Sequence, residues 1–472
     1  MNQERDTKIV VVGGGVGGLA TAAILATEGF TVSIYEKTSN VGGRGLCKNI
    51  EGYLLDSGFH SIRGADKSAA STVLKKVGKE IRFATKYSDG VLPKQFYNGK
   101  AAYAPGNLIE LLRYRLLPWP DKIHFMTLFQ RIKKKPLDHL DEMTVSELLK
   151  ELNVNSKGLI DHIKTLVGIA FYCDPDLEKV SAGELYRYLE YFPYDVGFPI
   201  GGWKQIIDNL ISSIIENGGT IETRKEVQKV VIEEVQSDNN SNEPTKSAAT
   251  ITGIVVDGKM VYSDAVVLNI PLYEIPRLVQ QEYLPKQLNK LLQNFEPSSS
   301  IIMDIASSDE IIQGKNDTIV SLEPLAIFRV PTKYDNTLAP QGKHILSAWM
   351  PIASDKSHNR KYLETRYAEV QRIMNKIFPG LAQNSTIIRR MVFSTTIGFY
   401  PKPSMNRLKR PNVTLQGLKN LYLVGDAVNV DGIGGSSDAA FNSAMQCVEL
   451  IKQQQFSAHS REKHMFSLSI DA

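Results

Sequence analysis

Apolar runs and a glycine cluster alternate along the first part of the chain in an order that predicts a β–turn–α–β unit. Residues 8–12 form a short, mostly apolar run typical of a buried strand, and glycines follow it between positions 13 and 18. The apolar stretch 16–27 predicts a helix, and the alternation over 31–35 predicts a second strand that stops at Glu36. The pattern indicates an α/β fold with a glycine-rich turn at its first strand.

The same pattern continues further along the chain. An amphipathic helix is predicted over 203–216, and a final helix is predicted to begin near Ser437. Strands are predicted over 220–223, 227–235, 250–256, 265–269, 298–306, 344–352 and 421–424. From Ser457 onwards the patterning is weak, so we expect residues 457–472 to form a tail.

One stretch imitates a membrane span, because residues 9–26 carry no charge over 18 positions. Five of these residues are glycines clustered in one turn, which does not suit a spanning helix. The charges at positions 4, 5, 6 and 8 cancel, unlike the positive start of a signal peptide. We therefore expect neither a transmembrane helix nor a secretion signal.

Net charge and cysteine spacing argue against several classes of function, namely nucleic-acid binding, zinc modules and disulfide frameworks. The net charge of +4 among 472 residues is too small to indicate nucleic-acid binding, so no nucleic-acid partner is expected. Cys47, Cys173 and Cys447 stand far apart, without the paired spacing of a zinc module or a disulfide framework. We expect no metal site and a reducing, cytoplasmic location.

Residues 107–136 are basic, with seven Lys or Arg against two acids. Pro118 and Pro120 are expected to divide this stretch into two helices. The predicted apolar face of the second helix consists of Ile123, Met126, Phe129 and Ile132. Two interpretations stay open: a face that lies on an anionic membrane surface, or a helical lid with a solvated basic side.

The glycine turn has the spacing of a dinucleotide site. Gly13, Gly15 and Gly18 form GxGxxG between a predicted strand and a helix. Gly13 permits the tight turn, Gly15 admits a pyrophosphate, and Gly18 allows close helix–strand packing. Glu36 at the next strand end suits free ribose hydroxyls and disfavours the 2′-phosphate of NADP.

Two further motifs point to a flavin rather than a nicotinamide. Residues 41–45 read VGGRG, in which Gly43 permits close approach and Arg44 can neutralise phosphate. Near the other end, Asp426 follows a predicted strand and Gly434–Gly435 precede a helix. An acid for a ribityl chain and a helix N-terminus for the reduced ring suit a flavin.

These motifs together resemble the flavin amine oxidase and phytoene desaturase superfamily. The similar segments read VVVGGGVGGLATAAILATEGFTVSIYEKTSNVGGRG, PIGGWKQIIDNLISSIIENGGTIETRKEVQKV and NLYLVGDAVNVDGIGG. The resemblance implies noncovalently bound FAD in a Rossmann-like domain, beside a substrate domain of mixed sheet and helices. The implied FAD contacts are Gly13, Gly15, Val16, Gly17, Gly18, Glu36, Lys37, Gly43, Arg44, the Val227 backbone at the adenine, Gly425, Asp426, Gly434 and Gly435.

The resemblance also predicts how the domains divide the chain. We expect the FAD-binding domain to comprise 1–86, 201–274 and 412–456, and the substrate domain to comprise 87–200 and 275–411.

Within the superfamily, the chain is more similar to the desaturase–saturase branch, which contains carotenoid desaturases and retinol saturase-like proteins. GYLLDSGFHSIRG at 52–64 and EPSSSIIMDIA at 296–306 resemble segments of that branch. Amine oxidases commonly carry a Lys where this chain has serines at 298–300. The branch implies hydride exchange between flavin N5 and a C–C or C=C bond of an apolar, isoprenoid-like substrate.

Alternatives stay open at this point. The chain could oxidise amines, or it could be a flavin-dependent isomerase without net redox. Rab escort and GDP-dissociation-inhibitor proteins resemble this fold without a flavin, but Glu36, Arg44 and Asp426 favour a flavoprotein.

His60 is the candidate proton shuttle, and Arg63 is a weaker one. A second GxGxxG is missing, so we expect an external electron carrier such as oxygen or a quinone.

Overall fold

The N-terminal β–turn–α–β unit contributes central strands to a parallel sheet, and the chain also forms a second, mixed sheet. The computed structural model describes residues 7–58, 61–90, 92–190, 195–234, 249–432 and 434–468.

The helices are α1 Val16–Thr27, α2 Ala69–Lys76, α3 Leu108–Arg113, α4 Trp119–Lys133, α5 Leu137–Asp141, α6 Val145–Glu151, α7 Lys157–Phe171, α8 Ala182–Glu190, α9 Lys204–Glu216, α10 Ile275–Leu278, α11 Lys286–Gln293, α12 Arg360–Ile377 and α13 Ser437–Leu468. The strands are β1 Lys8–Val12, β2 Thr31–Glu36, β3 Cys47–Ile50, β4 Tyr53–Asp56, β5 Ile62–Arg63, β6 Phe83–Lys86, β7 Lys94–Tyr97, β8 Lys100–Tyr103, β9 Val196–Pro199, β10 Thr220–Thr223, β11 Val227–Glu234, β12 Ala249–Val256, β13 Lys259–Tyr262, β14 Ala265–Leu268, β15 Ser299–Ser307, β16 Thr318–Ser321, β17 Ala326–Arg329, β18 His344–Ile352, β19 Ser385–Phe393, β20 Leu418–Lys419 and β21 Leu421–Leu423.

The parallel sheet has the strand order β10-β2-β1-β14-β21. Its central strand β1 pairs with β2 and β14 in parallel register. The strand β1 is buried from Ile9 onwards, as expected where helices cover both faces of a parallel sheet. The helix α1 is apolar nearly all round and packs against both α9 and α13. The carboxyl ends of these strands meet at the glycine turn, where ligands bind in open α/β sheets.

The mixed sheet has the order β19-β15-β18-β17-β16-β7-β8, with β16 and β7 parallel and the other neighbours antiparallel. The strands β15 and β18 pair along their whole length, from Ser299 opposite Ile352 to Ser307 opposite His344. The helix α12 covers one face, where its buried Tyr367, Val370 and Ile373 join the core of the sheet. The other face contributes to the cavity described below.

Smaller sheets and a helical unit complete the described part of the fold. The strands β11, β12 and β13 form an antiparallel sheet, beside which β20 pairs with β12 in parallel. A further sheet has the order β5-β9-β6, and β3 pairs with β4. The helices α4 to α8 share a hydrophobic core of their own.

The α/β fold class is confirmed, and the predicted strands and helices appear close to their expected bounds. The stretch 107–136 contains the separate helices α3 and α4, as the prolines predict. The predicted apolar face of α4 is wrong in part, because Ile123 is exposed while Leu128 is buried. Phe125, Phe129 and Ile132 pack with Leu128, so the apolar stripe is rotated away from Ile123.

The end of the chain differs from the expected tail. The helix α13 extends to Leu468, through most of 457–472. Its sequence from Ser437 contains neither Gly nor Pro, so nothing interrupts the helical hydrogen bonds. The expected division into an FAD domain and a substrate domain stays a prediction.

None of the described helices is both long enough and apolar enough to cross a bilayer. The uncharged residues 9–26 instead form β1, the glycine turn and most of α1.

Candidate functional site

The glycine turn is shaped by contacts that leave no room for side chains. Gly13 has a φ of +96° and donates from its amide to the Tyr35 carbonyl at 2.8 Å. A Cβ on Gly18 would overlap the Gly13 carbonyl oxygen. The turn therefore requires glycine for the physical reasons that the motif predicts.

Asn269, which the motif search missed, packs into this turn directly after β14. Its Nδ2 donates to the Val424 carbonyl at 3.0 Å, which ties the turn to the C-terminal motif. A Cβ on Gly15 would lie 2.6 Å from the Asn269 Oδ1, and one on Gly17 would lie 2.9 Å from its Nδ2. Sequence spacing gives no signal for Asn269, because the parallel pairing of β1 with β14 places it here.

The predicted adenosine contacts lie together at the end of β2. The Glu36 carboxylate accepts from the Gly14 amide and from the Thr38 amide, both at 2.8 Å. The Glu36 carbonyl accepts from the Lys225 amide at 2.9 Å, which places the start of β11, at Val227, beside this end. Lys37 is exposed, and its Nζ lies 4.0 Å from the Glu274 carboxylate.

The predicted phosphate and ribityl contacts form a single ion pair. Arg44 Nη1 donates to Asp426 Oδ2 at 2.8 Å, and Arg44 Nη2 donates to Asp426 Oδ1 at 2.7 Å. Arg44 Nη1 also lies 3.2 Å from the Thr396 carbonyl, which accepts from it. The glycine turn reaches this region through Gly42, whose amide donates to the Gly14 carbonyl at 2.7 Å.

Asp426 is held from several sides. Its Oδ2 also accepts from the Gly398 amide at 2.7 Å, and its carbonyl accepts from the Gly435 amide at 3.0 Å. Burial raises the pKa of Asp426, but the Arg44 guanidinium and the Gly398 amide outweigh burial and hold that pKa below its usual value. The carboxyl is therefore ionised at neutral pH.

The Gly434–Gly435 turn also excludes side chains. Gly435 has a φ of +73°, and a Cβ on Gly434 would overlap the buried Arg410 guanidinium. Gly425, at the end of β21, has a φ of +141° and donates from its amide to Ser443 Oγ at 2.9 Å. These glycines bring the C-terminal motif onto the N-terminus of α13.

One cavity of about 170 Å³ connects these motifs to the mixed sheet. Its lining comprises Val16, Arg44, Gly45, Ser57, Gly58, Ser61, Arg63, Tyr172, Trp203, Ser300, Ile302, Trp349, Phe393, Thr396, Ile397, Asp426, Gly435, Ser436, Ser437, Asp438 and Ala440. Val16, Arg44, Asp426 and Gly435 are the members of this lining that were expected to bind the cofactor. The remaining expected contacts lie outside the lining, around the glycine turn, near the end of β2 and in the C-terminal motif before α13.

Of the two residues expected to carry protons, the structure describes Arg63 but not His60. His60 lies outside the described residues, so its role stays a prediction. Arg63 lines the cavity, where its Nη2 donates to the carbonyls of Ile169 at 3.1 Å and Ala170 at 2.9 Å. Nearby, Ser300 and Thr396 share a hydrogen bond of 2.7 Å between their hydroxyls.

The residues present fit FAD. The N-cap of helix α1 is Gly15, which provides no side-chain cap, and the first turn contains no acid, so this N-terminus can receive a pyrophosphate. Val16 at that end lines the cavity. The glycines of the turn have no side chains, so a phosphate can approach their backbone closely. Glu36 and Asp426 supply acceptors for hydroxyls at the two ends of such a ligand.

Comparison with known proteins gives the family. Residues 16–452 match the family model described as flavin containing amine oxidoreductase. A 4,4'-diapolycopen-4-al dehydrogenase of Metabacillus indicus is 21% identical over 90% of this chain and 93% of its own length. A 4,4'-diapophytoene desaturase of Staphylococcus aureus is 22% identical over 89% of this chain and 94% of its own length.

Solved structures show the same fold. An oxidoreductase from Methanosarcina mazei has a TM-score of 0.76 at 22% identity, covering 94% of this chain and 100% of that one. A triple mutant of putrescine oxidase has a TM-score of 0.70 at 15% identity, covering 95% and 99%.

Proposed function

Because this chain belongs to the flavin containing amine oxidoreductase family, and is an FAD-dependent oxidoreductase, we propose that it acts on a C–C or C=C bond of an apolar, isoprenoid-like substrate. The observation that carries the proposal is the single cavity that joins Arg44 and Asp426 to the apolar face of the mixed sheet.

The part of the cavity lining that the mixed sheet contributes suits an apolar chain. Ile302 on β15, Trp349 on β18 and Phe393 on β19 line it side by side. Lysine is missing from the cavity lining as far as the structure describes it. The serines at 298–300 stand where, by the resemblance, amine oxidases commonly carry a Lys. One relative carries the name of a diapophytoene desaturase, which supports formation of a C=C bond in such a substrate. Another carries the name of a diapolycopenal dehydrogenase, which supports a polyene substrate but a different reaction.

Bound FAD supplies the hydride acceptor and donor at its N5 atom. In the desaturation direction, one C–H hydrogen leaves as hydride and a neighbouring one leaves as a proton, so that the electron pair left behind forms the C=C bond. The protein orients the chain along the wall and excludes water from it. His60 is the proposed proton carrier, and the electrons would pass on to an external acceptor such as oxygen or a quinone.

We further propose that this substrate enters from a membrane surface through the α3–α4 face, which comprises Tyr103, Leu108, Ile109, Trp119 and Ile123. All five side chains are between 54% and 62% exposed. Four other large apolar side chains are exposed among the described residues, and they are scattered along the chain: Ile215, Tyr262, Tyr273 and Leu408.

Charge and packing support this membrane contact. The segment 107–136 carries a net charge of +5, which suits anionic lipid headgroups. The exposed cations of this segment are Arg113, Arg115, Lys133 and Lys134, whereas Lys122 is buried and donates to the Leu112 carbonyl at 2.7 Å. On its inner side, Phe125 packs in one hydrophobic cluster with Tyr172 and Trp349, which line the cavity.

The experiment is an anaerobic titration of the purified, flavin-loaded protein. Polyene hydrocarbons in detergent, their partly saturated counterparts and a panel of amines are each added while flavin absorbance near 450 nm is followed. Bleaching by a partly saturated polyene supports desaturation. Bleaching by amines alone would favour an amine oxidase, and rearranged product without bleaching would favour an isomerase.

A further inference from the structure

We infer that the substrate carries a carboxylate at the end of its apolar chain, and that Arg63 and Trp349 bind this group inside the cavity. The inference deepens the proposed function and rests on it. It concerns polar atoms of the cavity wall that the hydride transfer itself does not use.

Of the two terminal nitrogens of the Arg63 guanidinium, one is hydrogen-bonded and the other is not. Its Nη2 donates to the carbonyls at the end of α7, and the guanidinium lies 5.7 Å from the Tyr172 ring centre and 5.2 Å from that of Tyr188. Its Nη1 is buried and has no hydrogen-bond partner among the described residues. The cation is therefore fixed in place with an unused donor in a residue that lines the cavity.

Trp349 contributes a second unused donor. Its ring lines the same cavity and meets the Tyr172 ring edge-on, with the ring centres 5.8 Å apart. Its Nε1 is buried and also unpartnered within the part of the chain that the structure describes. Tyr172 thus contacts both Arg63 and Trp349, so the three side chains form one wall.

Unpaired buried donors are unfavourable, because burial removes the water that would otherwise bond them. A ligand oxygen that accepts from these donors removes this penalty, and a carboxylate also neutralises the guanidinium with short, charge-assisted bonds. An ammonium group would be repelled by the same cation. The wall therefore favours an anionic oxygen group over an amine.

Asp438 is the opposing charge at the N-terminus of α13. Its Oδ1 is buried and unpartnered among the described residues, so it makes no hydrogen bond with Arg63. Burial raises the pKa of Asp438 to about 6 although the Arg63 cation lowers it, so Asp438 is neutral, and does not repel a bound carboxylate, only below that pH. Arg63 consequently keeps its free donor for the ligand.

The test uses the flavin-loaded protein and three probes of equal chain length: oleate, 1-octadecene and octadecylamine. Binding is read from the shift of the bound flavin's absorption, which reports the cavity rather than the protein surface. We expect oleate to bind at least ~10-fold more tightly than 1-octadecene, because a hydrogen bond to a charged group contributes about 1.5–3 kcal/mol. Octadecylamine should bind no more tightly than the hydrocarbon.

Variants separate the anchor from the apolar cavity. Arg63→Met should abolish the preference for oleate, Arg63→Lys should keep part of it, and Trp349→Phe should weaken it several-fold while preserving the aromatic wall. Arg360→Met, at an exposed arginine on α12, is the matched control and should keep the full preference.

Equal binding of oleate and 1-octadecene by the unaltered protein would overturn the inference. So would a preference that survives Arg63→Met at full flavin content. If Arg63→Met loses its flavin, an unchanged preference in both Arg63→Lys and Trp349→Phe overturns it instead. Failure of the proposed function is distinct, since it shows as a flavin that no polyene, with or without a carboxylate, can bleach.

Discussion

Arg44 and Asp426 are 382 residues apart in the chain and form a bidentate ion pair with N–O distances of 2.8 and 2.7 Å. The pair joins the short turn after β2 to the end of β21, so the motifs at the two ends of the chain form one charged unit. Because Asp426 is buried and Arg44 is 43% exposed at its side chain, the guanidinium is the partner that meets both the cavity and solvent.

Removal of the Arg44 charge should weaken both cofactor retention and stability. Arg44→Met leaves the Asp426 carboxylate buried beside the Gly398 amide alone, so we expect a loss of about 1–3 kcal/mol. Arg44→Lys keeps the positive charge but cannot make the second hydrogen bond to Asp426, so it should lose less flavin and less stability. The flavin-to-protein absorbance ratio after gel filtration, with thermal unfolding alongside, measures both effects, and full flavin occupancy in Arg44→Met would contradict the expectation.

Reversal of charge at Glu36 should abolish FAD retention. The Glu36 carboxylate holds the Gly14 and Thr38 amides, so Glu36→Arg removes both acceptors of the turn as well as the expected ribose contact. Glu36→Gln keeps one carbonyl acceptor and is expected to retain a reduced share of flavin. Flavin released by denaturation and separated by chromatography gives the occupancy, and normal occupancy in the Arg variant would refute this role.

A methyl group in the glycine turn should be enough to disturb the site. A Cβ on Gly18 overlaps the Gly13 carbonyl, so Gly18→Ala must displace the backbone of the turn. We expect loss of flavin and a Tm lower by several degrees. Gly106→Ala is the control, because its nearest neighbour would lie 3.4 Å from the added Cβ. Equal behaviour of the two variants would show that the turn tolerates the change.

Asp438 should make stability depend on pH. Its pKa is raised to about 6 from an ordinary value of 3.8 by burial, so the folded protein binds more protons than the unfolded chain between these values. Stability contributed by this group therefore falls as pH rises through that window. Asp438→Asn should gain up to about 3 kcal/mol relative to the unaltered protein above pH 7, and nothing near pH 4. Denaturant unfolding across pH 4–8 checks this, and a pH-independent difference would contradict it.

The α3–α4 face should bind anionic vesicles. We expect co-sedimentation with vesicles of 30% phosphatidylserine in phosphatidylcholine, weakened by salt and nearly absent with phosphatidylcholine alone. Ile109→Ser combined with Trp119→Ser should reduce binding at least several-fold. Ile215→Ser combined with Tyr262→Ser removes exposed apolar surface elsewhere and should have no effect. Equal binding by both double variants would exclude this face.

Local patterns determined much of the fold and part of the site. The glycine spacing, the strand β2 ending at Glu36 and the glycines before α13 are each set by a few neighbouring residues, so their geometry follows from the sequence. The apolar face of α4 was predicted only in part, because its neighbours in the helical core decide which side is buried and leave Ile123 in solvent.

Only the tertiary structure decided what the separated motifs do together. The pairing of Arg44 with Asp426, the insertion of Asn269 into the glycine turn, and the wall of Arg63, Tyr172 and Trp349 all join residues from distant segments. Periodicity and spacing describe neighbours along one element, whereas these contacts arise from sheet order and from packing between elements. The sequence alone therefore determined which cofactor the chain can hold, and the folded structure determined which side chains line the cavity.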